Sequence, residues 1–345
     1  MRSITTLREI GPLTVRRIDL PALALCGFLA LAFLRLWRFA LGADFMASVQ
    51  AIDGVMSGQP HWIIYQSRLA GPSIVKFASS VFSIRLETAY QAYIVLTMTA
   101  GGFLTFKFSK VLAGRDEVAF GAMLLFFVLA FCVVGNDFIY PWDFLDILFF
   151  TLFIFFVATE KPYWWFLLLF CGAVLNRESA FFIAPWLVLQ PFVDGRYATA
   201  KWRNALSGLA LVCVGAAFIL TMRYMLLIEE VAPPVTGQPY GRHFQWVYRD
   251  NWHTIFTKLK YPFSANVVPA LFWIASYFVA AFVALRDPRK FGLMSLCFVT
   301  LLTGVLVFGV MMETRILLEF VPLLTLGSLI ASGAYRKPEQ VGTQR

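Results

Sequence analysis

Charge is what this sequence has least of: Asp, Glu, Lys and Arg make up 14% of its 345 residues, against about 25% in an ordinary soluble domain. That shortage excludes a water-soluble enzyme. Histidine is nearly missing as well. Of the three in the chain, His243 and His253 stand ten apart with no third ligand nearby, so no metal site follows from them. The five cysteines, Cys26, Cys132, Cys171, Cys213 and Cys297, are odd in number, lack CxxC spacing and fall inside apolar runs. They give neither a disulfide framework nor a zinc site. Internal repeats, low-complexity tracts and a soluble domain are also lacking.

What fills the chain is apolar, with 59% hydrophobic residues, 36 Phe and a mean hydropathy of +0.72. Apolar stretches, judged against the roughly 17–25 residues that cross a bilayer, give candidate spans at 20–39, 88–106, 118–134, 144–158, 163–175, 181–193, 205–227, 265–285, 292–311 and 316–334. The expected fold is therefore all-α, a polytopic membrane protein of about ten helices. A single transmembrane domain, 20–334, lies between a segment 1–19 and a tail 335–345. The first apolar run lacks a small-residue cleavage pattern and has full span length, which favours a retained helix over a signal peptide.

Orientation follows from the loops. With a cytoplasmic N-terminus, the inner segments hold 17 of the 29 Lys and Arg but 8 of the 20 Asp and Glu, an excess equal to the net +9 of the whole chain. This positive-inside bias accounts for the basic pI without nucleic acid, and puts both termini inside. The stretches at 163–175 and 181–193 are too short to span comfortably, since 13 helical residues rise about 20 Å against a core of about 30 Å. They form either a re-entrant pair or two short spans. Re-entrance places their tip, Asn176-Arg177-Glu178-Ser179, within the outer half of the membrane.

That topology brings five polar elements to the outer face: Asp44, the stretch from Asp137 to Asp146, Arg177-Glu178, the loop 229–262, and Glu313-Thr314-Arg315. Charges at the ends of apolar runs line a cavity or sit paired at the interface. In the outer loop 41–87, Phe45, Val49, Ile52 and Met56 recur at helical spacing, which predicts an amphipathic helix on the membrane surface, before Gly58, Pro60 and Pro72 break the chain. Asp44 reads equally as a helix-end carboxylate facing water. Asp143 and Asp146 share a helical face; Asp143 also suits an N-cap. Arg177 and Glu178 are adjacent, hence on different faces, so a partner elsewhere is expected for one or both. Glu319, four residues beyond Arg315, can pair with it. The loop 229–262 mixes aromatic and basic residues, among them Tyr240, Arg242, His243, Trp246 and Trp252, and reads as an interfacial belt or as a lid over phosphate and sugar.

Four of these patterns together resemble the GT-C class of polytopic glycosyltransferases, such as the protein O-mannosyltransferases and the aminoarabinose transferases of lipid A. The first outer loop, with Asp44, a short helix, then Gly58-Gln59-Pro60 and Tyr65, looks like the class's Asp and G-x-P-x-x-x-x-Y arrangement. PWDFLDILFFTLFIF is similar to its acidic residue before an aromatic-rich helix, here Asp143. LNRESAFFIAPWLV resembles its basic residue followed by Pro, here Arg177 and Pro185. ETRILLEFVPLLTLGSLI resembles its Arg with Pro seven residues on, here Arg315 and Pro322, though Ile316 stands where an aromatic residue is common. The chain looks closest to small bacterial membrane proteins of this type with a similar Asn-Arg-Glu segment.

The resemblance implies a polyprenyl-phosphate-linked sugar as donor, a lipid or glycan acceptor, and an active site on the outer face of a bacterial inner membrane. On it, Asp44 is the expected base of an inverting transfer. Arg315 and Arg177, with Arg242 or His243 from the lid, receive the leaving phosphate, and Asp143 or Glu178 orients sugar hydroxyls or holds a divalent cation such as Mg or Mn, which the chemistry does not require. Two other readings stay open: a transporter or flippase for a lipid-linked or anionic solute, suggested by the short charged helices at 163–193, and a glycan polymerase-like or scaffold protein.

Overall fold

The computed structural model describes residues 19–58, 65, 67–134, 139–226, 248–260, 268–308 and 314–335. Among them the chain is all helical with no strand. The helices are α1 (Asp19–Leu41), α2 (Phe45–Met56), α3 (Ala70–Val81), α4 (Leu86–Ala113), α5 (Asp116–Val134), α6 (Pro141–Ala158), α7 (Tyr163–Val174), α8 (Ala184–Val193), α9 (Lys201–Leu226), α10 (Tyr248–Leu259), α11 (Val268–Arg286), α12 (Pro288–Phe308) and α13 (Val321–Ala331). Short 3-10 segments, Glu178–Ile183 and Thr314–Phe320, lead into α8 and α13.

Five of these helices are long and apolar enough to cross a membrane: α1, α5, α6, Lys201–Met222 of α9 and Pro288–Val307 of α12. That is the make-up of a membrane protein. Against an expectation of about ten spans, the remaining apolar helices fall short by length or hydropathy; α7 and α8 have 12 and 10 residues. Large apolar side chains turned outward, such as Phe28, Phe39, Phe278 and Leu285, are costly against water and ordinary against lipid.

The sequence dictates where elements stop. Gly114, left-handed at φ 66°, ends α4. Pro141 stands in the first turn of α6, where its missing N–H costs nothing. The predicted amphipathic helix is α2, with Phe45, Val49 and Ile52 buried against the bundle. There Phe45 packs edge-on to Trp37, with ring centroids 5.4 Å apart.

Polar contacts mark the two ends of the bundle. At one end Lys107 meets Asp19 at 2.9 Å, Lys110 meets Asp116 at 2.7 Å, Glu160 meets Arg196 and Lys290 at 3.4 Å each, and Tyr335 donates to Asp287 at 2.7 Å. At the other, Arg38 pairs with Glu87 at 2.8 Å, and the start of α4 is tied to the start of α6. There the Tyr90 and Tyr93 hydroxyls donate to the Ile139 and Pro141 carbonyls at 2.7 Å each. Helices α7 and α8 both begin or end beside Glu160 and Arg196, because the Tyr163 hydroxyl donates to the Leu187 carbonyl at 2.7 Å and Trp186 stacks on Phe166 at 3.7 Å. They form a half-length hairpin whose tip reaches the first turn of α6.

Candidate functional site

The tip of that hairpin is where the charges meet. After α7 the chain turns at Leu175 and Asn176, and Arg177 is fully extended at φ −164°. The Asn176 amide donates to the Trp142 carbonyl and to Asp146 Oδ1, both at 2.7 Å. A single wholly buried side chain thus locks the tip to the first turn of α6. From the same level the backbone N–H groups of Leu69 and Ala70 donate to the Leu175 carbonyl at 3.0 Å, so the start of α3 also closes onto the tip. Gly71 permits the approach: a Cβ there would stand 2.7 Å from the Pro141 carbonyl carbon.

On this frame Arg177 Nη1 lies 3.1 Å from Asp143 Oδ1, 3.1 Å from Asp146 Oδ2 and 3.2 Å from Glu319 Oε1. Three carboxylates from two separate segments share one guanidinium. Asp143 also lies 3.7 Å from Arg315 Nε. It accepts from the Tyr140 backbone N–H at 2.9 Å as the third residue of α6, reaching back to cap the helix rather than standing at the N-cap itself. Beside this core Glu178 faces away, as adjacency requires, to Arg68 at 3.7 Å and to the Ser67 hydroxyl at 3.3 Å.

An aromatic plate covers the cluster. Tyr65 stacks on Trp142 at 5.2 Å and Tyr140 lies 4.7 Å from Trp142. Arg68 sits over the Tyr65 ring at 4.8 Å and Arg315 over Tyr140 at 4.6 Å, where guanidinium and ring attract through the ring quadrupole. Four carboxylates and three guanidiniums leave one formal negative charge in excess. Removing such charges from water is expensive unless they are mutually paired and hydrogen-bonded, and Asp143 and Glu319 are 1% exposed each. Chemically, the arrangement offers guanidinium donors to an anion beside carboxylates that accept from hydroxyls.

The predicted site residues divide accordingly. Asp143, Arg177 and Arg315 come together, with Glu178 next to them through Arg68. Asp44 stands apart. It is exposed at the corner between α1 and α2, at the N-cap position of α2 without a side-chain capping bond, and two turns, about 10 Å, before Ala51, which packs with Tyr140 and Trp142. Arg242, His243 and Glu313, with most of the loop 229–262, lie outside the described residues. Glu319 is found against Arg177. The pairing expected from its i+4 spacing to Arg315 presumed an α-helix, whereas Thr314–Phe320 is a 3-10 helix, in which residues three apart align.

Arg68 and Asn176 were not among the candidates, and of the aromatic plate only Tyr65 had been singled out, in the G-x-P-x-x-x-x-Y pattern. A lone Arg in the short run SRLAGP and the Asn at the predicted tip were the marks that Arg68 and Asn176 left in the sequence. Among the described residues no group of three or more His, Cys, Asp or Glu side chains is arranged to hold a metal ion. Compared with protein-family models, curated proteins and solved structures, the chain finds no match.

Proposed function

We propose that this protein transfers a sugar from a polyprenyl-phosphate-linked donor to a lipid or glycan acceptor at the outer face of a bacterial inner membrane. One observation carries the reading: four distant stretches of an otherwise apolar chain contribute Arg68, Arg177, Arg315 and four carboxylates to one end of the bundle. A topology of eight crossings, with α7 and α8 as a re-entrant pair and both termini cytoplasmic, puts that end outside, in agreement with the loop charges.

In this reading the Asp44 carboxylate takes the proton of an acceptor hydroxyl as its oxygen attacks the anomeric carbon. The bond from that carbon to the phosphate oxygen breaks with inversion, and the polyprenyl phosphate leaves with the electron pair. Arg68 and Arg315 face the phosphate's charge across the aromatic plate, with Arg177 behind them fixing Asp143. The exposed Asp44 is unencumbered for proton transfer, and the distance of about two turns from Ala51 to Asp44 is bridged by donor and acceptor together. Asp143 and Glu178 remain the residues to orient sugar hydroxyls; Mg or Mn is an optional addition.

The test is transfer of radiolabelled sugar from a polyprenyl phosphate donor by the protein in nanodiscs. Asp44→Asn is expected to abolish product at unchanged expression, and Arg68→Gln to slow it at least tenfold. Undiminished turnover by Asp44→Asn removes Asp44 as the base. A second reading, transport of a lipid-linked or anionic solute, is favoured by the half-length helices α7 and α8 meeting at a charged tip. Solute accumulation in proteoliposomes without covalent product decides for it.

A further inference from the structure

The end of the bundle opposite the Arg177 cluster encloses a cavity of about 730 Å³, within the size range of pockets that bury small ligands. Its apolar wall includes Val157, Phe166 and Trp186. Trp186 is 1% exposed, and its indole N–H has no acceptor among the described residues. An indole nitrogen can only donate, and a buried donor left unpaired is costly, so Trp186 keeps a hydrogen bond to give.

The polar rim is built from both signs of charge, and its members are unequally committed. Asp194 accepts from Arg196 through Nε at 2.9 Å and Nη2 at 2.5 Å. Asp287 accepts from the Tyr335 hydroxyl at 2.7 Å and from the Lys290 backbone N–H at 3.2 Å, which caps α12. Glu160 is left to face Arg196 and Lys290 at a loose 3.4 Å each, its side chain 44% exposed. Arg289, exposed in the first turn of α12, has no ion pair among the described residues. It adds its charge to the positive end of a 21-residue helix. Glu160 itself is left-handed at φ 55°, a conformation that Gly or Asn adopts more readily. A carboxylate is thus held at the pocket mouth against the local backbone preference.

We propose that this pocket binds the headgroup of a membrane phospholipid that carries a primary ammonium beside its phosphate. The phosphate diester lies at the Arg289 and Lys290 side chains. The ammonium donates to Glu160, an ester carbonyl accepts from the Trp186 indole, and the acyl chains leave past the exposed Val193. Three acids and three bases line the cavity, which suits a zwitterion better than a purely anionic headgroup. The inference is independent of sugar transfer, since it concerns the other end of the bundle.

Native mass spectrometry of the full chain, released from detergent and titrated with phosphatidylethanolamine, phosphatidylglycerol or phosphatidylcholine, tests it. One phosphatidylethanolamine is expected to stay bound at concentrations where the other two are lost, because glycerol carries no ammonium and choline no N–H. Arg289→Gln and Glu160→Gln, at exposed sites, should each weaken that adduct about tenfold or more with the melting temperature nearly unchanged. Equal retention of the three lipids, or unchanged affinity in both variants, overturns the proposal. Displacement by soluble phosphoethanolamine at equal concentration overturns the lipid as occupant.

Discussion

The two ends of the bundle each hold an arginine shared among carboxylates, yet they differ in what surrounds it. Arg177 and its partners Asp143, Asp146 and Glu319 are nearly excluded from solvent, the arginine side chain being 11% exposed. Arg196, with Asp194 and Glu160, is 41% exposed. The chemistry is the same and the consequences are opposite. Where water and salt reach the ions, pairing is worth about 0–1 kcal/mol. Where they do not, losing one partner strands the others, at about 3–5 kcal/mol. The comparison teaches that burial, not the number of ion pairs, decides which end of this molecule is structurally committed to its charges.

Replacing the buried arginine gives the largest expected effect. Arg177→Met should destabilise the protein by about 3–5 kcal/mol, seen as a lowered melting temperature in detergent. Adding Asp146→Asn should recover part of the loss, because one stranded carboxylate is then neutral and still able to accept from Asn176. A melting temperature that Arg177→Met leaves unchanged would mean that solvent reaches the cluster, and the contrast between the ends would collapse.

Next in size is the seam that seals the buried end. Gly71→Ala forces a methyl into the Pro141–Trp142 backbone, at about 1–3 kcal/mol, and should make Arg68 and the Tyr65–Trp142 stack accessible to solvent. Tryptophan fluorescence and its quenching by acrylamide report this directly. At the exposed end, Arg196→Gln should cost no more than about 1 kcal/mol, and 1 M salt, where the screening length falls to about 3 Å, should erase most of the difference from the unsubstituted protein. The same salt should leave the deficit of Arg177→Met largely intact.

The smallest effect expected is the pH dependence that the exposed end contributes. Burial alone would raise the Asp194 carboxyl, but its side-chain and backbone hydrogen bonds from Arg196, with the charge of that guanidinium, outweigh it and hold the group below its ordinary range. A carboxylate depressed in the folded state adds stability that is complete above its unfolded value of about 3.9 and is lost as pH falls through the lower folded value. Thermal melting between pH 5 and pH 3 should therefore show a shallow acid destabilisation in the unsubstituted protein that Arg196→Gln reduces.

Much of this was legible beforehand. Apolar run length found every long helix, because a bilayer imposes a length that composition records. The shortness of 163–175 and 181–193 foretold a hairpin with a charged tip, and the adjacency of Arg177 and Glu178 required that they seek different partners, as they do. Local rules failed where the local geometry departed from an α-helix. Glu319 could pair with Arg315 only at a spacing that a 3-10 segment does not honour, and Asp143, which suits an N-cap, stands instead as the third residue of α6 with Tyr140 at the N-cap.

Sequence by itself determined that this chain is helical, built for a membrane, and polarised in its loop charges, since hydropathy, run length and the Lys/Arg bias are sums over residues that need no partner. Tertiary structure alone decided that Arg177 gathers Asp143, Asp146 and Glu319 while Asp44 stands apart from them, two turns before Ala51 along α2. It also decided that Arg68 joins them under an aromatic plate, and that Glu160, Trp186 and Arg289, separated by up to 129 positions of chain, frame a pocket at the far end. Those outcomes depend on which helix ends reach the same level of the bundle, and packing fixes that at distances no local pattern encodes.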